Sequence, residues 1–594
     1  VRGRTRRRVI AICVLLSLIF TGYSARLINL QVARHDEFAN IAADKHSMRQ
    51  IIPARRGPIL DRNGEILAAS VPVRKVILDC SHVKKPDQLA EVVAPFIGWK
   101  VEDVQARLKT GKKHEVLDQK LPEDKAVELR TALDEKNIRG IYFEEASERA
   151  YSNGPMLSHV LGFLGRKQPS DVTLCGVEGI ERSMEEYLHG EDGVRHIERD
   201  RTGKELVIYR EQEKPSRQGM SVETTIDMGL QAILEKELET TCAELKPDHV
   251  VGLIVKPQTG EILAMATRPT FDPNNIGASK PEDMKNRAII DVIEPGSTFK
   301  IVAASAALNE GKVNQTTQIF CENGAFQYAG RVLHDHHPYG MMTVREILMK
   351  SSNVGAAKMA LMLGDQKFYE YVRRFGFGRK TGVELPGEVG GILSPPERWD
   401  KLTITRMPMG HSIAVTPLQS VMSMAAIANG GKLMKPLIVR SVKDEDGNVV
   451  KSFEPEVVAE VVPKEVADFV SSALRDVTGD GGTAKLACVN GYNVAGKTGT
   501  AQKVSPKGGY APGKYVVSFV GYMPAEAPEF ACLILIDDAK VASNLNYGGT
   551  LAAPVFARVA EKAARYLDLV PSLKAEPVTP MVMKENGKKE EFIQ

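Results

Sequence analysis

The chain has 594 residues, 43% of them hydrophobic and 26% charged, which is ample apolar mass for large cores and excludes both a disordered acidic tail and a small disulfide-stapled scaffold. At roughly 150 residues per domain this length accommodates about two to four domains. Lys and Arg number 78 against 75 Asp and Glu, a net of +3, so global charge gives no reason to expect a nucleic-acid partner.

The positive excess is local. Arg2, Arg4, Arg6, Arg7 and Arg8 make residues 1–8 a basic tail, and the uncharged run 9–25 (VIAICVLLSLIFTGYSA) separates it from Arg26. That run has about the minimum length for a membrane-spanning helix. It is longer than the apolar region of a secretory signal peptide, and Gly22-Tyr23-Ser24 is a poor cleavage site. Leu27, Ile28, Leu30 and Val32 continue the pattern as an amphipathic helix. The expectation is a single-pass anchor over 9–25 in the cytoplasmic membrane, with the arginines on the cytoplasmic side and the bulk of the chain outside. Seven cysteines (Cys13, Cys80, Cys175, Cys242, Cys321, Cys488, Cys532) lack any C-x-x-C pair. They read mostly as free, small hydrophobes rather than a zinc or redox motif.

Residues 26–215 mix short predicted strands (75–79, 141–145), predicted helices (88–96, 124–135) and two turn-rich patches, Arg56-Gly57-Pro58-Ile59-Leu60-Asp61-Arg62-Asn63-Gly64 and Gly176-Val177-Glu178-Gly179-Ile180-Glu181. Asn63-Gly64 suits a hairpin turn. This region lacks active-site chemistry and reads as a pedestal. From residue 216 the texture changes. Leu230, Ile233, Leu234 and Leu238 form a helical stripe, followed by apolar strands at 250–255 and 261–267 around Pro257-Gln258-Thr259-Gly260. A second strand pair, 515–522 and 530–536, precedes a last helix at 552–567. Strands first and last with helices between predict an α+β sandwich over 216–570, an antiparallel sheet with helices on its faces. Residues 571–594 are polar and aperiodic, and read as a mobile tail.

Glu294-Pro295-Gly296-Ser297-Thr298-Phe299-Lys300 opens an Ala-rich helix that stops at Gly311. Ser297 falls in its first turn, where the helix dipole favours negative charge, and Lys300 follows three residues on along the same face. A serine hydroxyl needs a base to take its proton, and a lysine serves when burial and nearby positive charge lower its pKa. S-x-x-K alone is a weak signal, expected about twice by chance in a chain of this length. Two further elements strengthen it: Ser351-Ser352-Asn353 inside a helical segment at 344–363, and Lys497-Thr498-Gly499-Thr500 ahead of strand-like residues. In order these are S-x-x-K, S-x-N and K-T-G-T, the set shared by penicillin-binding proteins and class A β-lactamases. Ser351 can relay a proton between Lys300 and substrate, and Asn353 can hold a substrate amide. Lys497 adds charge that lowers the Lys300 pKa and attracts a carboxylate, Thr498 and Thr500 offer hydroxyls to that carboxylate, and Gly499 admits a substrate backbone to the strand edge. The Ser297 and Thr500 backbone N–H groups would form an oxyanion hole.

On these residues the chain resembles a class B penicillin-binding protein, a monofunctional peptidoglycan D,D-transpeptidase. The resemblance runs through RRGPILDRNGEILA, GVEGIE, FDPNN, NRAIIDVIEPGSTFK, KSSNVG, VTPLQ, IANGG and AGKTGTAQK. It implies a penicillin-binding transpeptidase fold, similar to serine β-lactamases, beside a dimerisation-type pedestal. It implies stem peptides of the lipid-linked precursor polymer as substrates, an acyl-enzyme at Ser297 formed with loss of the terminal D-Ala, and covalent inhibition by β-lactams, with no metal or organic cofactor. Glu294, MGHSIAVTPLQ and AGKTGTAQK are more similar to the division (septal) branch than to the elongation branch. With no glycosyltransferase module expected, a membrane-embedded glycan polymerase and other division proteins are the implied partners. A serine β-lactamase would need the same catalytic residues but neither anchor nor pedestal, and a non-catalytic scaffold would not need the intact set. His334-Asp335-His336-His337 reads as a solvated loop, since adjacent ligands rarely fit one metal sphere.

Overall fold

The uncharged N-terminal run is helical, Arg2–Ile28, and continues as a π-helical turn, Asn29–Ala33, in the computed structural model, which describes residues 2–37, 47–112, 114–166, 174–199, 205–206, 214–505 and 508–573. Over Arg6–Ala33 the mean hydropathy of the most apolar window reaches 1.9 with none of it buried, and among the described residues this is one helix long and apolar enough to cross a membrane. All seven cysteines are free thiols. The tail predicted at 571–594 lies, from residue 574 on, outside the described residues.

Contacts divide the chain into two compact units whose segments alternate along the sequence. The smaller unit takes Val1–Arg56, Pro72–Ser147 and His189–Gly219. The predicted helices appear there as Pro86–Ile97 and Glu123–Glu135. Pro86 starts the first, where a missing N–H costs nothing, and Gly98 at φ 69 ends it. Its apolar face (Leu89, Val92, Val93) joins Val76, Leu78, Val104, Leu117 and Leu129 in a separate core. The end of strand Ile66–Leu78 pairs antiparallel with Glu115–Pro122, Leu78 opposite Glu115.

The larger unit takes Gly57–Val71, Glu148–Leu188 and Met220–Gln594. It is built on five antiparallel strands: β1 His249–Val255, β2 Ile262–Arg268, β3 Ala495–Val504, β4 Tyr510–Met523 and β5 Phe530–Asp537. Their spatial order is β2-β1-β5-β4-β3, with Val250 opposite Ile536 and Thr500 opposite Val517. β1 and β5 are apolar and buried almost throughout instead of alternating, because helices cover both faces of the sheet. The helices are α1 Met228–Leu245, α2 Lys300–Asn309, α3 Val344–Lys350, α4 Asn353–Leu363, α5 Pro417–Ala428, α6 Lys464–Thr478 and α7 Gly548–Tyr566. α1 and α7 meet each other and the sheet, as do α5 and α6. Local sequence dictates several of these starts. Asp227 caps α1 by accepting the Gly229 and Leu230 N–H groups at 3.0 and 3.1 Å. VTPLQ forms a capping box, Thr416 Oγ1 accepting from Gln419 N–H at 3.1 Å and Gln419 Oε1 from Thr416 N–H at 2.9 Å, with Pro417 as the first helical residue.

The first turn-rich patch of the expected pedestal, from Gly57 on, and the whole of the second fall in this larger unit by their contacts. Ile59–Leu60 runs parallel to Ser221–Thr224, Ile59 beside Val222, and Ser221–Thr224 in turn pairs antiparallel with Val439–Lys443. The fully buried Asp61 closes the following turn by accepting Asn63 N–H at 2.7 Å and Glu65 N–H at 2.8 Å. In the second patch the Arg149 guanidinium meets the fully buried Glu181 at 2.7 Å and donates to Gly57 O at 2.8 Å. Gly162 and Gly176 lie flat against the Glu178 and Glu181 carbonyls, where any Cβ would collide with backbone.

Candidate active site

Ser297 lies on a short 3-10 turn, Gly296–Phe299, that leads into α2, so the first turn of the predicted helix is wound more tightly than an α-helix. Gly296 has φ 58, and a Cβ there would lie 2.8 Å from Thr500 O and 3.0 Å from Thr500 N. Thr500, one of the two residues expected to form the oxyanion hole, therefore adjoins the residue that precedes the other, Ser297. On the other side, Gly410 (φ 84) abuts the Gly296 backbone so closely that a Cβ would overlap it. Lys300 is the first residue of α2 and is fully buried. Its Nζ donates to Ser351 O at 2.5 Å, Asn353 Oδ1 at 2.8 Å and Ser351 Oγ at 3.0 Å.

The predicted single helix over 344–363 is broken at Ser351. This residue takes the left-handed conformation, φ 60, ending α3 where glycine is usual. Ser352 starts α4 by accepting Gly355 N–H at 2.9 Å. The break turns the Ser351 side chain between two lysines: its Oγ lies 3.0 Å from Lys300 Nζ and 3.0 Å from Lys497 Nζ. Such a strained serine persists only where its surroundings over-determine it. Here they do. Asp335 Oδ2 accepts Ser352 Oγ–H at 2.7 Å, while Oδ1 accepts Asn353 N–H and, at 3.1 Å, Val354 N–H. Asn353 Nδ2 donates to His334 O at 2.9 Å. The segment expected to be a solvated loop is thus the brace of the S-x-N turn: Asp335 satisfies N–H donors that a helix N-terminus leaves open, and His334 O holds the Asn353 side chain. Asp335 is the functional residue that sequence reasoning missed, since no local pattern ties it to Asn353, eighteen residues later. Among the described residues no cluster of three or more His, Cys, Asp or Glu could hold a metal ion.

Lys497 sits on β3, the edge strand of the sheet, and is fully buried. Burial holds its amine down at about 7. Burial, and after it the Lys497 charge, holds Lys300 well below the usual lysine range, with Asp335 pulling weakly the other way. Thr498 Oγ1 lies 3.2 Å from Thr483 Oγ1 and 3.4 Å from Lys497 Nζ. A reason for glycine at 499 is present inside the protein: a Cβ would strike Ser518 Oγ and come within 2.8 Å of Pro295 O and 3.1 Å of Thr298 Cγ2, beneath the Ser297 turn. Thr500 Oγ1 accepts Gly548 N–H at 3.2 Å. All the residues singled out by S-x-x-K, S-x-N and K-T-G-T therefore converge, on a turn, a helix junction and a strand edge.

A second polar group flanks Ser297. Glu294 accepts Ser412 N–H at 3.1 Å and Tyr510 O–H at 3.0 Å, and lies 4.0 Å from His411 Nε2. Burial, then the Glu294 charge, pushes Tyr510 up to about 12, and burial lowers His411.

An antiparallel sheet bearing K-T-G at its edge, opposite S-x-x-K and S-x-N on helices, defines the class that unites penicillin-binding proteins and class A β-lactamases. Within it, residues 250–561 match the penicillin-binding protein transpeptidase domain and residues 51–224 the penicillin-binding protein dimerisation domain. The chain belongs to the class B penicillin-binding proteins. It is 32% identical to stage V sporulation protein D of Bacillus subtilis over 96% of this chain and 86% of that one. It is 31% identical to the peptidoglycan D,D-transpeptidase FtsI of Escherichia coli over 94% and 91%. Among solved structures, penicillin-binding protein 2X of Streptococcus thermophilus superposes with a TM-score of 0.75 at 27% identity, covering 87% of this chain and 80% of that one. Penicillin-binding protein 3 of Mycobacterium tuberculosis, complexed with aztreonam, gives 0.67 at 27% identity, covering 89% and 100%.

Proposed function

We propose that this chain cross-links peptidoglycan stem peptides through an acyl-enzyme at Ser297. The observation that carries the reading is the Ser351 hydroxyl 3.0 Å from each of two buried lysine amines, both with lowered proton affinity. A neutral Lys300 can take the Ser297 proton as Oγ attacks the penultimate D-Ala carbonyl. The Ser297 and Thr500 N–H groups would stabilise the oxyanion. As the C–N bond breaks, the proton returns through Ser351 to the departing D-Ala amine, leaving the Ser297 ester. An amine of a second stem then attacks that ester, gives up its proton by the reverse path, and regenerates the serine. Lys497, Thr498 and Thr500 suit the terminal carboxylate, and Asn353 a substrate amide. β-Lactams would acylate the same serine.

Glu294, MGHSIAVTPLQ and AGKTGTAQK favour the division branch, working with a membrane-embedded glycan polymerase and other division proteins, from the cytoplasmic membrane with the basic N-terminus inside. Fluorescent penicillin should label the full chain and not Ser297→Ala; an adduct that persists in the variant refutes the mechanism, and one that turns over rapidly marks a hydrolase instead. Depletion should give filaments, whereas rounded cells would assign the chain to elongation.

A further inference from the structure

Arg406 ends the short helix Thr403–Arg406, four residues before the Gly410 that abuts Gly296. Its guanidinium is half-buried, and its hydrogen bond among the described residues runs from Nη2 to Val332 O at 3.5 Å, the outer limit of such a bond. Among the described residues no carboxylate lies within ion-pairing distance of it. Glu294, the acid of this neighbourhood, is committed to Ser412 N–H and Tyr510 O–H. Desolvating a cation without a counter-charge is costly, and burial accordingly lowers the Arg406 pKa.

The position is as telling as the missing anion. Val332 lies two residues before His334, whose carbonyl holds the Asn353 side chain. Tyr510, close enough to Arg406 for each to bias the other's titration, bonds Glu294, three residues before Ser297. Arg406 therefore lies between the Asn353 side of the cleft and the Ser297 side. On the transpeptidase reading, Lys497, Thr498 and Thr500 suit the terminal carboxylate on the strand edge, so a carboxylate bound at Arg406 would be a different one. A guanidinium presents paired N–H donors that match a carboxylate in one plane.

Resting on the transpeptidase reading above, we infer that Arg406 is a specificity residue that binds a second carboxylate of a stem peptide, one carried away from the D-Ala-D-Ala end. Purified full-length chain in detergent tests this with matched probes. In one arm, D-alanyl thioglycolate thioesters carry either a carboxylate or its primary amide on the upstream side chain, and acylation is read by competition with fluorescent penicillin. In the other, Nα-acetyl-D-lysine or its primary amide is the acceptor, and aminolysis is read against hydrolysis. A charge-assisted pair corresponds to a preference of about ten- to a hundredfold for the carboxylate. A preference in the first arm assigns the carboxylate to the donor stem, in the second to the acceptor. Arg406→Gln should reduce the ratio to about twofold or less and Arg406→Lys should keep part of it. The ratio is insensitive to a misfolded fraction, which lowers both rates alike. A wild-type chain with no preference in either arm, or an R406Q chain that keeps it, overturns the inference. Loss of the penicillin adduct and of all thioester turnover would instead overturn the transpeptidase reading.

Discussion

Asp335 offers a direct test of how the site is held, because its two influences on the reaction have opposite signs. Its carboxylate accepts Ser352 Oγ–H at 2.7 Å, Val354 N–H at 3.1 Å and the Asn353 N–H, fixing the turn from which Ser351 reaches both lysines. Its charge also favours protonated Lys300, the third and smallest influence on that amine. Asp335→Asn keeps the size and one acceptor oxygen but removes the charge and a second acceptor. A hydrogen bond to a charged group contributes about 1.5–3 kcal/mol, and loss of that much from the acylation transition state slows the reaction by roughly ten- to a hundredfold. If Asp335 acts as a brace, acylation by penicillin should slow at every pH, and Asp335→Ala should slow it further. If it acts mainly through charge, its removal would leave more neutral Lys300 at low pH and acylation would quicken there. The assay is the second-order rate of fluorescent penicillin labelling from about pH 5.5 to about 9, below the ordinary lysine range. A D335N chain that labels as fast as wild type, or faster at acid pH, refutes the bracing role.

Lys497 should shift the pH profile in a definite direction. Acylation needs neutral Lys300, so its rate falls as pH drops through the titration of that amine; Lys497→Met removes the positive charge that disfavours a second proton, raises the Lys300 pKa, and should move the acid limb of the residual labelling rate to higher pH. A limb that stays in place, or moves down, contradicts this. Gly410→Ala should lower the melting temperature and abolish penicillin labelling together, because a methyl group at φ 84 overlaps the Gly296 backbone beside Ser297; a cost of about 2–4 kcal/mol is expected from forced backbone movement at such a site, and an unchanged thermal melt would count against it.

The spacing of S-x-x-K, S-x-N and K-T-G-T identified the lysines, Ser351 and Asn353 because each motif depends on short-range chemistry. The apolar runs at 250–255 and 530–536 announced central strands for the same reason, their hydrophobicity being continuous. Two kinds of feature stayed hidden. One is backbone conformation matched to distant partners: Val344 to Leu363 is helical in propensity, yet Ser351 leaves the helix at φ 60 where the two lysines bond it and Asp335 bonds the residues that follow. The other is long-range partnership. Asp335 and Thr483 bond residues well along the chain, and His-Asp-His-His carries the stronger local signal of a surface loop. The turn-rich patches near residues 57 and 176 fall within the matched dimerisation domain, and their packing against sequence that follows much later is a long-range feature of the same kind.

That interleaving bears on how the molecule is made. Ile59–Leu60 pairs with Ser221–Thr224, and Tyr151 exchanges backbone hydrogen bonds with the Asn274 side chain at 3.0 and 3.1 Å. At about 5–20 residues per second during synthesis, the strand at Ile59 waits on the order of ten seconds or more before its partner exists. A soluble fragment begun at residue 216 would lack that strand and the patches, leaving apolar residues such as Val222 uncovered. A catalytic fragment should therefore begin no later than Gly57.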